Sequence, residues 1–245
     1  MDARSSVFGL SMPSPRSTNI ETLLLRLPLF NSLQAEEIGR IATGTKELKA
    51  LKGEILFHKG NTCNGFHLII SGRIKLAFVS PQGIEKVVEI LNEGESFGEA
   101  FMFMEKPYSP FAQALVDSRL LHISKAVIFE EIDRQPHLAR KMIAGLSMRL
   151  HQLVHDVESY SLRSGRERII GYLLRDIPDN ALGQPGVTID LPTSKGTIAS
   201  RLSLSQEHFS RILNELSEAG LIRVEGRKIH IPDLQRLLGA SQETP

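Results

Sequence analysis

Gln206, Glu207, Ser210 and Arg211 are the residues whose types and spacing could do specific chemistry. On a helix they share one side, while Phe209, Ile212, Leu213 and Leu216 fall at helical spacing on the other. An arginine can grip guanine O6 and N7 with two donors, a glutamate can accept from cytosine N4, and a serine can meet either kind of base edge. Lys195 and Arg201 join Arg211 as cations opposed only by Glu207, with His208 in reserve. Surface helices often carry charge outward, so the context gives this pattern its force. Ile198, Ala199 and Leu202 precede it, and residues 221–224 and 228–231 flank Glu225, Gly226 and Arg227 as a hairpin behind it. Segment 194–216 thus reads as two short helices around a tight turn with a wing, a reader of the DNA major groove.

The rest of the chain must position that reader. A helix is expected over residues 20–27, ended by Pro28, and another over 35–42. From about 46 to 123 the texture changes to short β-type runs punctuated by glycine: 54–57, 66–70, 73–79, 86–91 and 120–123. Short strands at such spacing indicate a β-sandwich or barrel. Beyond Pro136, the residues Ile143, Leu146, Leu150, Leu153, Val157 and Tyr160 alternate steps of three and four. That repeat is the seam of a two-stranded coiled coil and predicts a homodimer, although one helix could also pack on its own β-domain. Ser164 and Glu167 form a capping-box signature, which places a break near residues 162–165 and a fresh helix over 166–174. A turn at 183–186 and a strand at 187–191 then lead into the two-helix reader.

Composition bounds the function. The chain has 245 residues, enough for two modest domains, with a formal net charge of only +1, so any nucleic-acid affinity must come from a local surface. Its single cysteine, Cys63, allows neither an intrachain disulfide nor a four-thiolate cluster within one subunit. No apolar run approaches the ~20 residues of a membrane span. The first 18 residues, rich in Ser and Pro and without a hydrophobic signal core, are expected to be a loose arm of a cytoplasmic protein.

With these stretches in hand, the chain resembles the CRP/FNR superfamily of bacterial transcription regulators over about residues 20–238. The carrying segments are 28–30 (PLF), 53–60 (GEILFHKG), 71–75 (SGRIK), 94–99 (GESFGE) and 207–211 (EHFSR), in that order and spacing. Ser210 makes the last of these similar to the FNR-type reader. Segments 99–104 (EAFMFM) and 202–211 resemble most the DNR branch, regulators of dissimilatory nitrate respiration.

The resemblance implies an α+β chain. Residues 1–18 would be a flexible arm, 19–135 a β-roll sensor domain like a cyclic-nucleotide-binding jelly roll, 136–163 a dimerisation helix, and 164–245 a winged helix-turn-helix. It implies a dimer on a palindrome of TTGAT-type half-sites, with Arg211 on the guanine, Glu207 on the paired cytosine and Ser210 on a neighbouring thymine. Gln206 stands where branches differ. Activation through contact with RNA polymerase is the family expectation.

The effector is read from what the sensor lacks. In the cyclic-AMP receptors an Arg-Ser pair follows the Gly-Glu segment and holds the phosphate; the same distance from Glu99 falls on Ser109 and Pro110, and no arginine lies between Glu99 and Arg119. A buried phosphate without a cationic partner is costly. Leu153 and Val154 replace the Thr-Ser pair that meets the purine. Cyclic AMP is therefore not expected, and neither is an iron–sulfur cluster, for want of cysteines. An apolar pocket of Met102, Phe103, Met104, Leu150, Leu153 and Val154 is expected instead, and the DNR resemblance implies haem-mediated nitric oxide sensing. His67, His151, His155 and Cys63 are the available axial ligands, none at a signature spacing. The His pair also reads as solvated helix residues and the Met/Phe run as plain core.

No nucleophile–base order, phosphate loop, zinc spacing or paired carboxylates stand out, so an enzyme is not expected. A regulator of another small ligand, a DNA-binding regulator without a ligand, or a module acting on a protein partner without DNA remain open alternatives.

Overall fold

The computed structural model describes residues 15–27, 29–31, 33–175, 177 and 186–240, with backbone alone for 15–19. Pro28, the expected end of the first helix, residues 183–185 of the expected turn, and 1–14 of the expected arm lie outside the described residues.

Two helices, α1 (Pro15–Leu25) and α2 (Ala35–Thr43), lead into the first of two four-stranded antiparallel sheets. That sheet has the order β1 (Thr45–Ala50), β8 (Ser118–Ser124), β3 (Gly65–Ser71), β6 (Ser96–Phe97). The second runs β2 (Ile55–Phe57), β7 (Phe111–Ala114), β4 (Ile74–Val79), β5 (Glu85–Leu91), which leaves β5 at an edge. Alternate side chains of the two sheets, among them Phe66, Leu68, Ile74, Leu91, Phe97 and Leu121, are withdrawn from solvent into one core with α1 and α2. A short helix α3 (Glu99–Phe103) follows β6, and α4 (Lys125–Arg134) follows β8. Glu131 of α4 takes a two-point bond from Arg40 of α2, both contacts at 2.7 Å, which ties the helical cover together.

The long helix α5 (Pro136–Leu162) begins with proline at its first turn, where no backbone donor is needed. It stops at Arg163, and Ser164 caps the next helix, α6 (Gly165–Leu174), with the reciprocal Glu167 bond of a full capping box. The expected break falls there.

A second core is built from α6, β9 (Val187–Asp190), α7 (Lys195–Arg201), α8 (Gln206–Glu218), β10 (Arg223–Glu225), β11 (Lys228–Ile231) and α9 (Leu234–Gly239). The three strands form one antiparallel sheet in the order β10-β11-β9. The chain is thus a β-sheet sensor unit followed by a winged helix-turn-helix, an α+β architecture. Sequence patterning missed β1, β6, β7 and both α3 and α4 as separate elements.

Candidate nucleic-acid interface and sensor cleft

The reader is assembled by caps and a turn. Ser194 accepts from Thr197 N–H at the start of α7, and Ser205 accepts from His208 N–H at the start of α8, both at 3.1 Å. Between the helices Ser203 holds φ at 57°, and Leu204 N–H reaches Ala199 O at 2.9 Å. Phe209, Ile212, Leu213 and Leu216 bury one side of α8. That burial turns Gln206, Glu207 and Arg211 to solvent and leaves Ser210 half-buried beside them. Among the described residues Arg211 pairs with Glu215, at 3.7 Å on the same exposed face, which leaves its guanidinium accessible to a ligand. Lys195 is half-buried at the first turn of α7.

Arg201 is placed otherwise. It is buried, its guanidinium bonds Asp156 and the Tyr160 hydroxyl of α5, and that hydroxyl donates to the Arg201 carbonyl. A side chain locked between reader and long helix is a structural cation, and the expectation that it contacts DNA is corrected.

The seam of α5 shifts as well. Leu146 turns partly toward the facing sheet and Tyr160 toward the reader, where its hydroxyl meets Arg201, while Leu153 stays exposed at 37%. Met148 (70% exposed) and Leu162 (78%) are bare, and so are four further residues: Ile143 (62%), Leu150 (64%), Val154 (59%) and Val157 (63%). These four lie on one stripe, with steps of seven, four and three.

The expected effector pocket is not gathered. Met102 is core, Phe103 stacks on Phe129 at 5.7 Å between ring centres, Met104 is exposed, and Leu150 and Val154 face away from the sheet. A cleft of about 490 Å³ instead lies between α5 and the β5–β6 region. Leu29, Leu68, Met142 and Leu146 give it an apolar floor, exposed Met148 lies at its rim, and Glu89, Ser96, Glu99, Arg149 and Gln152 form a polar end. Gly98, with φ at 95°, turns the chain so that Glu99 starts α3 pointing into this end. Arg149 donates to Glu99 Oε1 at 2.7 Å, to Glu89 Oε1 at 3.0 Å and to Ser96 O at 2.6 Å. Burial pushes the Glu89 carboxyl up, while Arg149 works against that shift. Burial opposes the charge of Arg149 itself, but Glu89 and Glu99 outweigh it and hold its pKa up. Both residues escaped the sequence reading, which sought a cation only between Glu99 and Arg119. The available signal was Arg149 itself, one step before seam residue Leu150.

The four candidate iron ligands lie elsewhere. His67 is buried inside the sensor, stacked on Phe97 at 4.9 Å, and its Nδ1 has no hydrogen-bond partner among the described residues. Burial first, then His122, depresses its pKa to about 3. Cys63 is buried against the carbonyls of Gly65 and Gly98. His151 and His155 are exposed on α5, 3.2 Å apart between their Nε2 atoms. None of the four lines the cleft. They do not fit a porphyrin iron seated there.

Two side chains that join sensor and reader, Ser200 and Lys86, were also unforeseen. Ser200 Oγ accepts from Val87 N–H at 2.9 Å and donates to Glu85 O at 3.1 Å, capping the free edge of β5. Lys86 Nζ reaches Ser200 O at 2.6 Å and Ser203 Oγ at 2.7 Å, and lies over the Tyr160 ring.

Comparison with known proteins agrees with this build. Residues 47–135 match the cyclic nucleotide-binding domain model, and residues 167–240 match the Crp-like helix-turn-helix domain model. The cyclic AMP receptor protein of Thermus thermophilus is 27% identical over 197 residues, 80% of this chain and 88% of that protein. The sensor domain of the transcriptional regulator DNR from Pseudomonas aeruginosa is 32% identical, covers 57% of this chain and 93% of that one, and superposes with a TM-score of 0.51. FixK2 from Bradyrhizobium japonicum shares the fold at a TM-score of 0.70 and 20% identity, covering 82% and 99% of the two chains. The relatives are regulators rather than enzymes. With both models matched in order and the reader's polar face exposed, this chain belongs to the CRP/FNR family of DNA-binding transcription regulators.

Proposed function

We propose that the chain acts as a homodimer that reads palindromic TTGAT-like half-sites and is switched by an effector held in the cleft beneath α5. The observation that carries the reading is the exposed Gln206–Glu207–Arg211 face of α8 above a fully buried apolar face. Arg211 takes the guanine, Glu207 the paired cytosine and Ser210 a thymine, the roles that the family resemblance implies. The bare stripe of Ile143, Leu150, Val154 and Val157 supports a second copy on α5. Two readers related by a twofold axis need half-sites centred about 34 Å apart.

An effector acts only through different affinities for two arrangements of the readers. The route available is α5, which touches the cleft through Arg149 and the reader through Asp156 and Tyr160. Activation through RNA polymerase and a cytoplasmic location go with the family reading. Similarity to the DNR sensor domain supports placement near that branch.

Haem is a second reading, favoured by the apolar floor of the cleft. None of the candidate ligands His67, His151, His155 and Cys63 lines that cleft, so haem there would need an axial ligand other than these four. An absorption spectrum with and without hemin and nitric oxide tests it: a Soret band that saturates with hemin supports it, and a featureless titration ends it. The main reading is tested by gel shift on a TTGAT palindrome and a scrambled duplex. Selective retardation of the palindrome is expected; equal retardation of both overturns it.

A further inference from the structure

The polar end of the cleft is unbalanced. Glu89 and Glu99 share one guanidinium, that of Arg149, and Glu95 adds a third carboxylate at the rim against the single ammonium of Lys141. Glu99 is 8% exposed at its side chain. Its Oε1 is used by Arg149 and Ser96, but its Oε2 is enclosed and has no hydrogen-bond partner among the described residues. A buried carboxylate oxygen without a donor is a standing cost, relieved by an N–H or O–H group brought to it.

Charge sign then selects the ligand. A phosphate or carboxylate would have to displace two carboxylates from Arg149 and would face Glu89 and Glu99 at close range. The same repulsion meets an anionic edge of any cofactor. An incoming cation meets the opposite field, and a small rotation of the Glu99 carboxylate would bring its unpartnered Oε2 to the cation's donors. Next to this end lie Leu29, Leu68, Met142, Leu146 and Met148, which suit an apolar body. The volume of about 490 Å³ is that of a small-molecule site.

We propose that the cleft binds a small organic cation, an ammonium or amidinium on an apolar body, with its N–H groups on Glu99 and its body on the apolar floor. The proposal rests on the reading of this cleft as the effector site and departs from a nucleotide or haem occupant. Ligand arrival would also relax the hold of Glu99 on Arg149, one of the three bonds by which Arg149 ties the cleft to the middle of α5.

Calorimetry on the full-length protein without DNA tests this, with benzamidinium and phenethylammonium as probes and benzoate, benzyl alcohol and cyclic AMP as comparators. Saturable binding of at least one cation is expected, at one site per protomer and at least tenfold tighter than any comparator. Glu99→Gln keeps the shape and removes the charge; it should weaken the cation at least tenfold. Should that variant fold poorly, Gly145→Phe gives an independent arm. Gly145 lines the cleft with open space at its Cβ, so a phenyl group there should block the cation without touching the carboxylates. Absence of cation binding, equal binding of benzoate or cyclic AMP, or full binding by both variants overturns the proposal. The gel shift on the palindrome is unaffected by that failure, so the two readings fall separately.

Discussion

The ammonium of Lys86 donates to the carbonyl of Ser200 at 2.6 Å, joining the edge strand of the sensor to the last turn of the reader's first helix. The same serine answers with its hydroxyl, closing the backbone of β5 at Val87 and Glu85. An edge strand normally leaves such groups to water. Here a side chain from the other core takes the place of a neighbouring strand, so the reader's orientation is written into the hydrogen bonds of the sensor sheet.

Ser200→Ala should therefore free the Val87 amide. Loss of one such bond is worth about 1 kcal/mol, or roughly fivefold in a local opening equilibrium. Hydrogen exchange at Val87 should accelerate by about that factor, with the amide of Ile198 in the reader's core unchanged. Unaltered protection at Val87 would show that the sheet edge does not need the serine.

Two arginines of similar promise in sequence separate in structure. Arg211→Ala should remove about 1–3 kcal/mol of preference for the guanine in each half-site and leave thermal unfolding unchanged. Arg201→Ala should do the reverse. Its guanidinium and the Asp156 carboxylate are both largely buried, and breaking such a pair leaves an uncompensated charge at a cost on the order of 3 kcal/mol. Paired denaturant melts and binding titrations on the two variants check both statements.

How much could be read from sequence follows from how local each signal is. The reader was legible because its pattern is local: Phe209, Ile212, Leu213 and Leu216 alternate with polar residues inside one helix. The capping box at Ser164 and Glu167 was legible for the same reason. The strand β1, of sequence TKELKA, was not, since its charged residues are explained only by what lies across the sheet, as Glu47 is by Arg119 at 2.9 Å. Of the expected seam, Ile143, Leu150, Leu153 and Val157 are exposed, while Leu146 and Tyr160 are partly covered. Leu146 and Tyr160 fit the same heptad, and only the presence of the sensor and α7 decides which side of α5 is already covered. The cleft was least legible of all: Glu89, Glu99 and Arg149 come from three separate elements, with Arg149 fifty residues beyond Glu99, and no spacing rule links them.

The bare stripe on α5 makes a specific statement about assembly. Val154→Asp places a charge in the middle of four exposed apolar residues and faces its own copy across the twofold axis. Sedimentation at micromolar concentration should change from dimer to monomer, and specific retardation of the palindrome should vanish with it. Leu153→Asp, at the side of the stripe, should have the smaller effect; a larger one would restore the original phase of the seam.

His67 makes the unfolding free energy depend on acid. Its folded pKa of about 3 lies below the ordinary histidine value because burial disfavours the charged ring. Between those two values the unfolded chain holds a proton at this site that the folded chain refuses. The stability tied to neutral His67 is therefore complete above the unfolded pKa and is lost as pH falls toward 3. The loss approaches about 1.4 kcal/mol per pH unit below roughly pH 6, near 2 kcal/mol between pH 7 and pH 5. His67→Phe keeps a ring against Phe97, which lies 13° from parallel with the imidazole, and carries no proton. Urea unfolding of parent and variant at the two pH values isolates the site: the parent should lose about 2 kcal/mol more than the variant. Equal losses would mean that the ring accepts its proton without opening the sheet, through an outward swing to water past His122, whose ring meets it edge-on at 4.9 Å.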